Sequence, residues 1–297
     1  MLEFQEIRTK DGTISLKSHK FNEDFHSSIG ALRETQVKFI NPSLLERFKH
    51  KKVRVLDVCF GLGYNSALLF NNLITNSSRI DWFALEIDKN PLIFSLNHKS
   101  FRELWDPKVI NIFESLIKSN HYEDNLFNCE LIWGDARKGI AKIPKDKNFD
   151  LIFLDGFSPQ KCPELWSLEF LSELTNRLKS NGYLITFCAA AAVRKSLINL
   201  GLDIYNIKPL INTSNIWSNG TLAMFNGQRD NPFIEKLSNM EKEHLDTKAS
   251  IPYRDPDNNS YSEQIILRRN EEQLYSELLS TSYWRKKWGM TKATSNS

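Results

Sequence analysis

The chain has 297 residues, of which 41% are hydrophobic and 25% charged, with a formal net charge of +3. That balance excludes wholesale disorder, and the length suffices for one large domain or a core domain with additions. The charge is too small to specify a nucleic-acid partner by itself, and Cys59, Cys129, Cys162 and Cys188 lack the spacing of a zinc site or a disulfide framework.

Residues 1–52 read as a small N-terminal addition. Stretches 2–8 and 13–17 are extended candidates around the turn signal Asp11-Gly12, and a helix is expected over 31–40, stopped by Pro42. The terminus carries Glu3 and Glu6 and no apolar run of signal-peptide length, and no segment reaches the roughly eighteen apolar residues of a membrane span. A reduced, cytoplasmic protein is the expectation.

From Val53 the chain alternates. Val53, Val55, Leu56 and Val58 form a buried strand that enters a tight turn at Gly61 and Gly63, followed by a helix over 64–75. Glycines permit close backbone approach to a ligand, and the helix start offers unpaired N–H groups and a positive dipole end. A second strand over 80–86 ends in Glu86, Asn90-Pro91 opens helical runs over 91–105 and 109–119, and a third strand over 130–133 leads into Gly134-Asp135-Ala136. The fourth strand, 149–154, stops at Asp155. A helix over 164–179 ended by Asn181-Gly182, a strand over 183–187, a helix over 189–200 and strands over 202–207 and 221–225 complete the domain, 53–226. This rhythm predicts an α/β fold with a mainly parallel sheet and helices on both faces.

The remainder, 227–297, reads as a C-terminal extension. A turn-rich linker (Pro252, Pro256, Asp257, Asn258, Asn259) precedes a short strand at 265–267, a helix over 270–279 and a disordered end.

Ligands of such a sheet sit at the carboxyl ends of the strands, where Glu86, Asp135 and Asp155 all stand. Glu86 suits the ribose hydroxyls of a nucleoside, or a solvated strand end. Asp135 suits the exocyclic amine of its base, or an N-cap, and the readings are compatible. Asp155 opens Asp-Gly-Phe-Ser-Pro-Gln-Lys-Cys-Pro-Glu-Leu-Trp, a rigid loop suited to holding a reacting group. The six histidines show no metal spacing, and neither a Walker lysine nor a nucleophile elbow is present.

Phe60-Gly61-Leu62-Gly63-Tyr64-Asn65, Glu86, Gly134-Asp135 and above all Phe153-Leu154-Asp155-Gly156-Phe157-Ser158-Pro159 with Lys161, Pro163 and Trp166 resemble the methyltransferase domain of MnmC, the bifunctional tRNA wobble-uridine modification enzyme, and its stand-alone relatives. The opening residues Asp11-Gly12-Thr13, Ser18, Phe21, Asp24, Phe25 and Gly30 to Thr35 fit as well, so the likeness covers roughly residues 1–226. It implies a Rossmann-like class I fold with a seven-stranded sheet, S-adenosyl-L-methionine as cofactor, and methylation of a 5-aminomethyl group in the tRNA anticodon region. It further implies Asp155 as the catalytic residue, cofactor contacts at Asp57, Phe60, Gly61, Gly63, Asn65, Glu86, Asp135 and Ala136, and substrate contacts at Glu34, Phe157, Pro159, Lys161 and Trp166. No metal is implied, and the FAD-dependent half of the bifunctional enzyme has no counterpart in this sequence.

Cys59 departs from the family, which places another glycine there. RNA contacts are sought in the Lys49, Lys51, Lys52 knot, in Arg194-Lys195 and in the C-terminal cluster of Arg268, Arg269, Arg285, Lys286 and Lys287, with Trp284 or Trp288 stacking on a base. The competing readings are a transferase acting on a small amine and a non-catalytic RNA-binding relative. Oligomeric state is left open.

Overall fold

The computed structural model describes residues 3–209, 218–227 and 230–290. Its N-terminal strands β1 (Phe4–Arg8), β2 (Ile14–Ser18) and β3 (Glu23–Asp24) form a small antiparallel sheet. The main sheet comprises β4 (Lys52–Val58), β5 (Arg79–Glu86), β6 (His121–Glu123), β7 (Phe127–Trp133), β8 (Phe149–Leu154), β9 (Leu178–Thr186), β10 (Asp203–Ile207), β11 (Thr221–Met224) and β12 (Ile234–Glu235). Its order is β12-β10-β11-β9-β8-β4-β5-β7-β6, and the five strands from β9 to β7 run parallel. The seven expected strands are present, and the short antiparallel edges β6 and β12 extend them to nine.

Both faces are covered because the central strands are mostly apolar and buried: every residue of β8 is buried, Asp150 included. On one face the helices Tyr64–Thr75 and Pro107–Ser119 pack Phe70 and Phe113 against Trp82 and Phe127. On the other, Leu168–Thr175 and Ala191–Asn199 bring Phe170, Leu174, Val193 and Leu197 onto Ile152 and Leu184. Strands feeding helices in this way place every parallel β–α turn at one edge, the edge that carries the site.

Several boundaries differ from expectation. Pro42 does not stop the first helix. The α-turns over Ala31–Thr35 pass into a π-helical stretch, Gln36–Ile40, and Pro42 sits in the first turn of the next short helix, where a missing N–H costs nothing. The helix expected over 164–179 is a 3-10 turn, Pro163–Trp166, then a helix that Ser167 caps and that ends at Thr175. Asn181-Gly182 lies inside β9, at a register irregularity against β8. A Cβ on Gly182 would stand 2.8 Å from the Phe149 carbonyl, so the glycine serves close strand approach rather than helix termination.

The C-terminal extension is an ordered wrap over most of its length. The strand expected at 265–267 belongs to one helix, Ser262–Tyr275, whose first turn is closed by Gln264 accepting from the Tyr261 N–H at 3.0 Å. A further helix, Thr281–Lys287, docks through Trp284. The disordered end expected past it falls on residues 291–297, outside the described residues. No helix among the described residues is long and apolar enough to cross a membrane.

Candidate active site

The turn after β4 is built from three left-handed residues: Cys59 (φ 71°), Gly61 (φ 58°) and Gly63 (φ 92°). Gly63 has a packing reason as well, since a Cβ there would stand 2.8 Å from Phe113 and block the helix start at Tyr64. Cys59 adopts without a glycine's freedom the conformation that glycine favours, at a cost of about 1–2 kcal/mol. Its thiol lies against Gly156, where an added Cβ would be 3.3 Å from the sulfur, and burial keeps it protonated.

Beside this turn, Glu86 ends β5 with its carboxylate folded onto backbone donors: Gly61 N–H at 2.8 Å, Ile87 N–H at 2.6 Å and Asp88 N–H at 2.9 Å. Burial raises its pKa against the pull of those bonds. Asp135, after β7, caps the short helix Ala136–Gly139 by accepting from the Arg137 N–H at 2.9 Å and also holds the Arg137 guanidinium. The N-cap reading of Asp135 is therefore what the structure shows, and the residue also lines the central cavity.

Asp155 follows β8. Its Oδ2 accepts from Asn65 Nδ2 at 2.7 Å, and Asn65 Oδ1 accepts in turn from Thr35 Oγ1 at 2.9 Å. Burial lifts the Asp155 pKa to about 6, with the Asn65 bond opposing. The loop behind it is pinned from two sides: Ser158 N–H donates to Glu23 at 2.9 Å, and Trp166 Nε1 donates to the Phe157 carbonyl at 2.8 Å. Phe157 stacks on Phe21 (4.5 Å between centroids) and meets Phe25 edge-on at 5.0 Å. The N-terminal sheet thus supplies an aromatic wall to the site.

These groups border one cavity of about 1010 Å³. It brings together Glu34, Phe60, Gly61, Gly63, Asn65, Glu86, Asp135, Ala136, Asp155 and Phe157 of the expected residues. Asp57, Pro159, Lys161 and Trp166 do not line it. Asp57 is wholly buried beneath the turn, Trp166 is a buried brace, and Lys161 is exposed. Glu34 is engaged by Lys38 at 2.5 Å and by the Ser27 N–H at 2.8 Å.

Reading the sequence missed Lys38, whose signal is its i,i+4 spacing from Glu34, and Ser260 to Glu263, which carried none. His26 lines the cavity with Nδ1 2.8 Å from Ser15 Oγ, and burial depresses its pKa to about 4, so it is neutral.

The basic clusters need correction in part. Arg194 is buried and pairs with Glu241 at 2.8 Å, Arg269 donates to the Ile251 and Ala249 carbonyls, and Lys52 pairs with Asp81. Trp284 is 4% exposed, stacks on His244 and donates to the Met240 carbonyl, so it cannot receive a base. Of these, Arg194 fastens the extension to the domain, Arg269 and Trp284 brace the extension internally, and the Lys52 pair joins two strands of the domain. No group of three or more His, Cys, Asp or Glu side chains able to hold a metal ion occurs among the described residues.

A family model described as S-adenosyl-L-methionine-dependent methyltransferase matches residues 99–217. An uncharacterised protein of Methanocaldococcus jannaschii is 31% identical over 279 residues, covering 92% of this chain and 74% of that protein. The tRNA 5-methylaminomethyl-2-thiouridine biosynthesis bifunctional protein MnmC of Leptospira borgpetersenii is 28% identical over 200 residues, 63% of this chain and only 30% of that protein. The chain therefore matches less than a third of the bifunctional protein's length. The crystal structure of MnmC2 from Aquifex aeolicus superposes with a TM-score of 0.77 at 30% identity, covering 92% of this chain and 85% of that one.

Proposed function

We propose, because this chain belongs to the MnmC2-like family of S-adenosyl-L-methionine-dependent methyltransferases, that it methylates the 5-aminomethyl group of the tRNA wobble uridine to give 5-methylaminomethyl-uridine, with or without a 2-thio group. The observation that carries this reading is the half-buried Asp155 carboxylate, on the cavity wall with the glycine turn and the rings of Phe21, Phe25 and Phe157.

The residues fit the cofactor on their own chemistry. Gly134 has nothing within 4 Å of its Cβ position, a Cβ on Gly61 would only touch the Phe25 ring at 3.5 Å, and Glu86, a buried acid, accepts from the Gly61 N–H through its carboxylate and from the Gly134 N–H through its carbonyl. The Gly61 to Gly63 backbone, Glu86 for the ribose hydroxyls and Asp135 with Ala136 for the base would hold it. When bound, S-adenosylmethionine supplies an electrophilic methyl group on a sulfonium.

The protein's task is then to present a neutral amine in line. An amine with a pKa of roughly 9–10 is almost wholly protonated at pH 7, and transfer of its proton to an ordinary aspartate spans five to six pK units, about 7–8 kcal/mol. With Asp155 lifted to about 6, the gap falls to about three to four units, or about 4–5.5 kcal/mol. Burial also lowers the amine's own pKa, so desolvation narrows the gap from both sides, while the carboxylate's charge works against it. Asp155 orients the amine by accepting its hydrogen bond, and the burial of that carboxylate makes it a better proton acceptor than an exposed one.

A wobble base reaches such a site unstacked, and aromatic faces suit it. Phe21, Phe25 and Phe157 at the cavity wall, with Lys20 and Lys38 nearby, provide that chemistry. Radiolabelled methyl transfer to undermethylated tRNA, followed by nucleoside analysis, tests the proposal: label in 5-methylaminomethyl-uridine supports it, and label confined to free small amines overturns it.

A further inference from the structure

The cavity has a wall that neither the glycine turn nor the N-terminal sheet supplies. Ser260, Tyr261, Ser262 and Glu263, at the start of the helix Ser262–Tyr275, line it on the side of Asp135, Ala136 and Arg137. What puts them there is one guanidinium. Arg137 grips both oxygens of Asp135, with Nη2 to Oδ2 at 2.7 Å. Its Nη1 reaches Asp255 Oδ2 at 2.6 Å and the Ser260 carbonyl at 2.9 Å. Asp255 is wholly buried and fixes the turn around it, accepting from the Asn259 and Ser260 N–H groups at 3.2 and 3.0 Å. A second tie is the Ser262 hydroxyl on Glu164 at 3.0 Å.

The segment so held presents a large ring with little packing of its own: Tyr261 is 76% exposed. An aromatic side chain kept exposed on a well-fastened turn, at the edge of a cavity, suits the flat face of a base. The charges on the rim bear on the class of ligand. Glu164 and Glu263 line it, while Asp255 is buried on Arg137, and two carboxylates there disfavour a phosphate backbone and tolerate an uncharged nucleoside.

We infer that the turn Asp255 to Glu263 is the outer wall of the cofactor's nucleoside subsite, with Tyr261 facing the base and Arg137 as the positioning residue that ties Asp135 to that wall. The inference rests on S-adenosylmethionine occupying the cavity. It assigns the extension a part in cofactor binding rather than in gripping RNA.

The test is calorimetric titration of the full chain with S-adenosylhomocysteine, beside filter retention of tRNA, for wild type, Tyr261→Ala, Tyr261→Phe and Asp255→Asn. Because Tyr261 is exposed, its truncation leaves the melting temperature unchanged, so a binding loss is not a folding loss. Expected is about a tenfold or greater rise in the Kd of Tyr261→Ala, in the range of base–aromatic stacks, with tRNA retention unaltered. Tyr261→Phe stays within about threefold of wild type, and Asp255→Asn weakens binding in the same direction through the loosened turn. An unchanged Kd for Tyr261→Ala, or lost tRNA retention with an unchanged Kd, overturns the inference and leaves the cofactor reading standing. No heat with the wild-type chain overturns both.

Discussion

Asn65 donates to Asp155 at 2.7 Å while accepting from Thr35 at 2.9 Å, so a residue of the glycine-turn helix and one of the N-terminal segment together set the direction of the carboxylate. The carboxylate fixes which way the amide faces, because an ionised Asp155 can only accept and so takes the Nδ2–H, leaving Oδ1 to the Thr35 hydroxyl. The bond also favours the ionised form of Asp155, opposing the burial that lifts it to about 6. Removing Asn65 therefore moves the pKa up. In a pH profile of kcat/KM, the acidic limb of the wild type is expected near pH 6 and that of Asn65→Ala at higher pH, with kcat lowered about tenfold or more as the carboxylate loses its orientation. Asp155→Asn keeps the shape, cannot accept a proton, and is expected to lose about 10²–10⁴ in kcat with S-adenosylhomocysteine affinity kept within a few-fold. A limb that stays put in Asn65→Ala would place the titration on another group.

Cys59 tests how the turn tolerates a side chain. At φ 71° a glycine removes about 1–2 kcal/mol of left-handed strain but adds about 0.5–1 kcal/mol of unfolded-state entropy and leaves the thiol's place against Gly156 empty. These terms nearly cancel, so Cys59→Gly is expected to melt within about 1 kcal/mol of wild type. Cys59→Val puts a β-branched residue where that φ is a true outlier and lies against Gly156, and should lose at least about 2 kcal/mol. Equal melting of the two variants would mean that the turn does not hold this conformation in solution.

Arg194 separates an RNA contact from a structural one. Its guanidinium is buried on Glu241, Asn206 and Thr221, so Arg194→Ala leaves the Glu241 carboxylate without its counter-charge in the interior. The expected loss is about 3–5 kcal/mol of stability, read by denaturant titration, with the salt dependence of tRNA retention unchanged in slope. A variant that folds as well as wild type and shows a shallower salt slope would restore the RNA role.

The β–α alternation was legible because the parallel strands carry runs of buried apolar residues, on both faces in β8, and glycines or acids stand at their carboxyl ends. The three acids at strand ends followed from the same rule. What escaped was long-range. Arg194 looked like surface beside Lys195 because the partner that buries it, Glu241, lies 47 residues further on. Ile265, Ile266 and Leu267 suggested a strand, yet Leu267 is 60% exposed and only Ile265 is buried, too thin a stripe to reveal a helix. Asn181-Gly182 is equally good chemistry for a helix stop and for a bulge, and the Phe149 carbonyl that decides between them belongs to another strand. Tyr261 could not be placed at all, since its position depends on the Arg137 to Asp255 tie across 118 residues.

Asp57 carries a pH signature of its own. Its Oδ2 accepts from Ser66 Oγ at 2.6 Å, Ser66 accepts from Trp82 Nε1 at 2.7 Å, and Oδ1 meets no donor among the described residues. Burial lifts its pKa to about 7, with the charges of Asp155 and Glu86 adding to the rise. An acid whose folded pKa lies above its unfolded value of about 3.9 binds more protons when native, so its contribution to stability is full below about pH 4 and is lost as pH climbs to about 7. The amide introduced by Asp57→Asn is neutral throughout. The stability of Asp57→Asn minus that of wild type is therefore expected to grow between pH 4 and 7 and level off above, by up to about 4 kcal/mol if Asp57 titrated alone. Denaturant titrations of both proteins at matched pH measure it. A difference that stays flat across that window would show that the carboxylate beneath the glycine turn is already ionised in the folded protein throughout it.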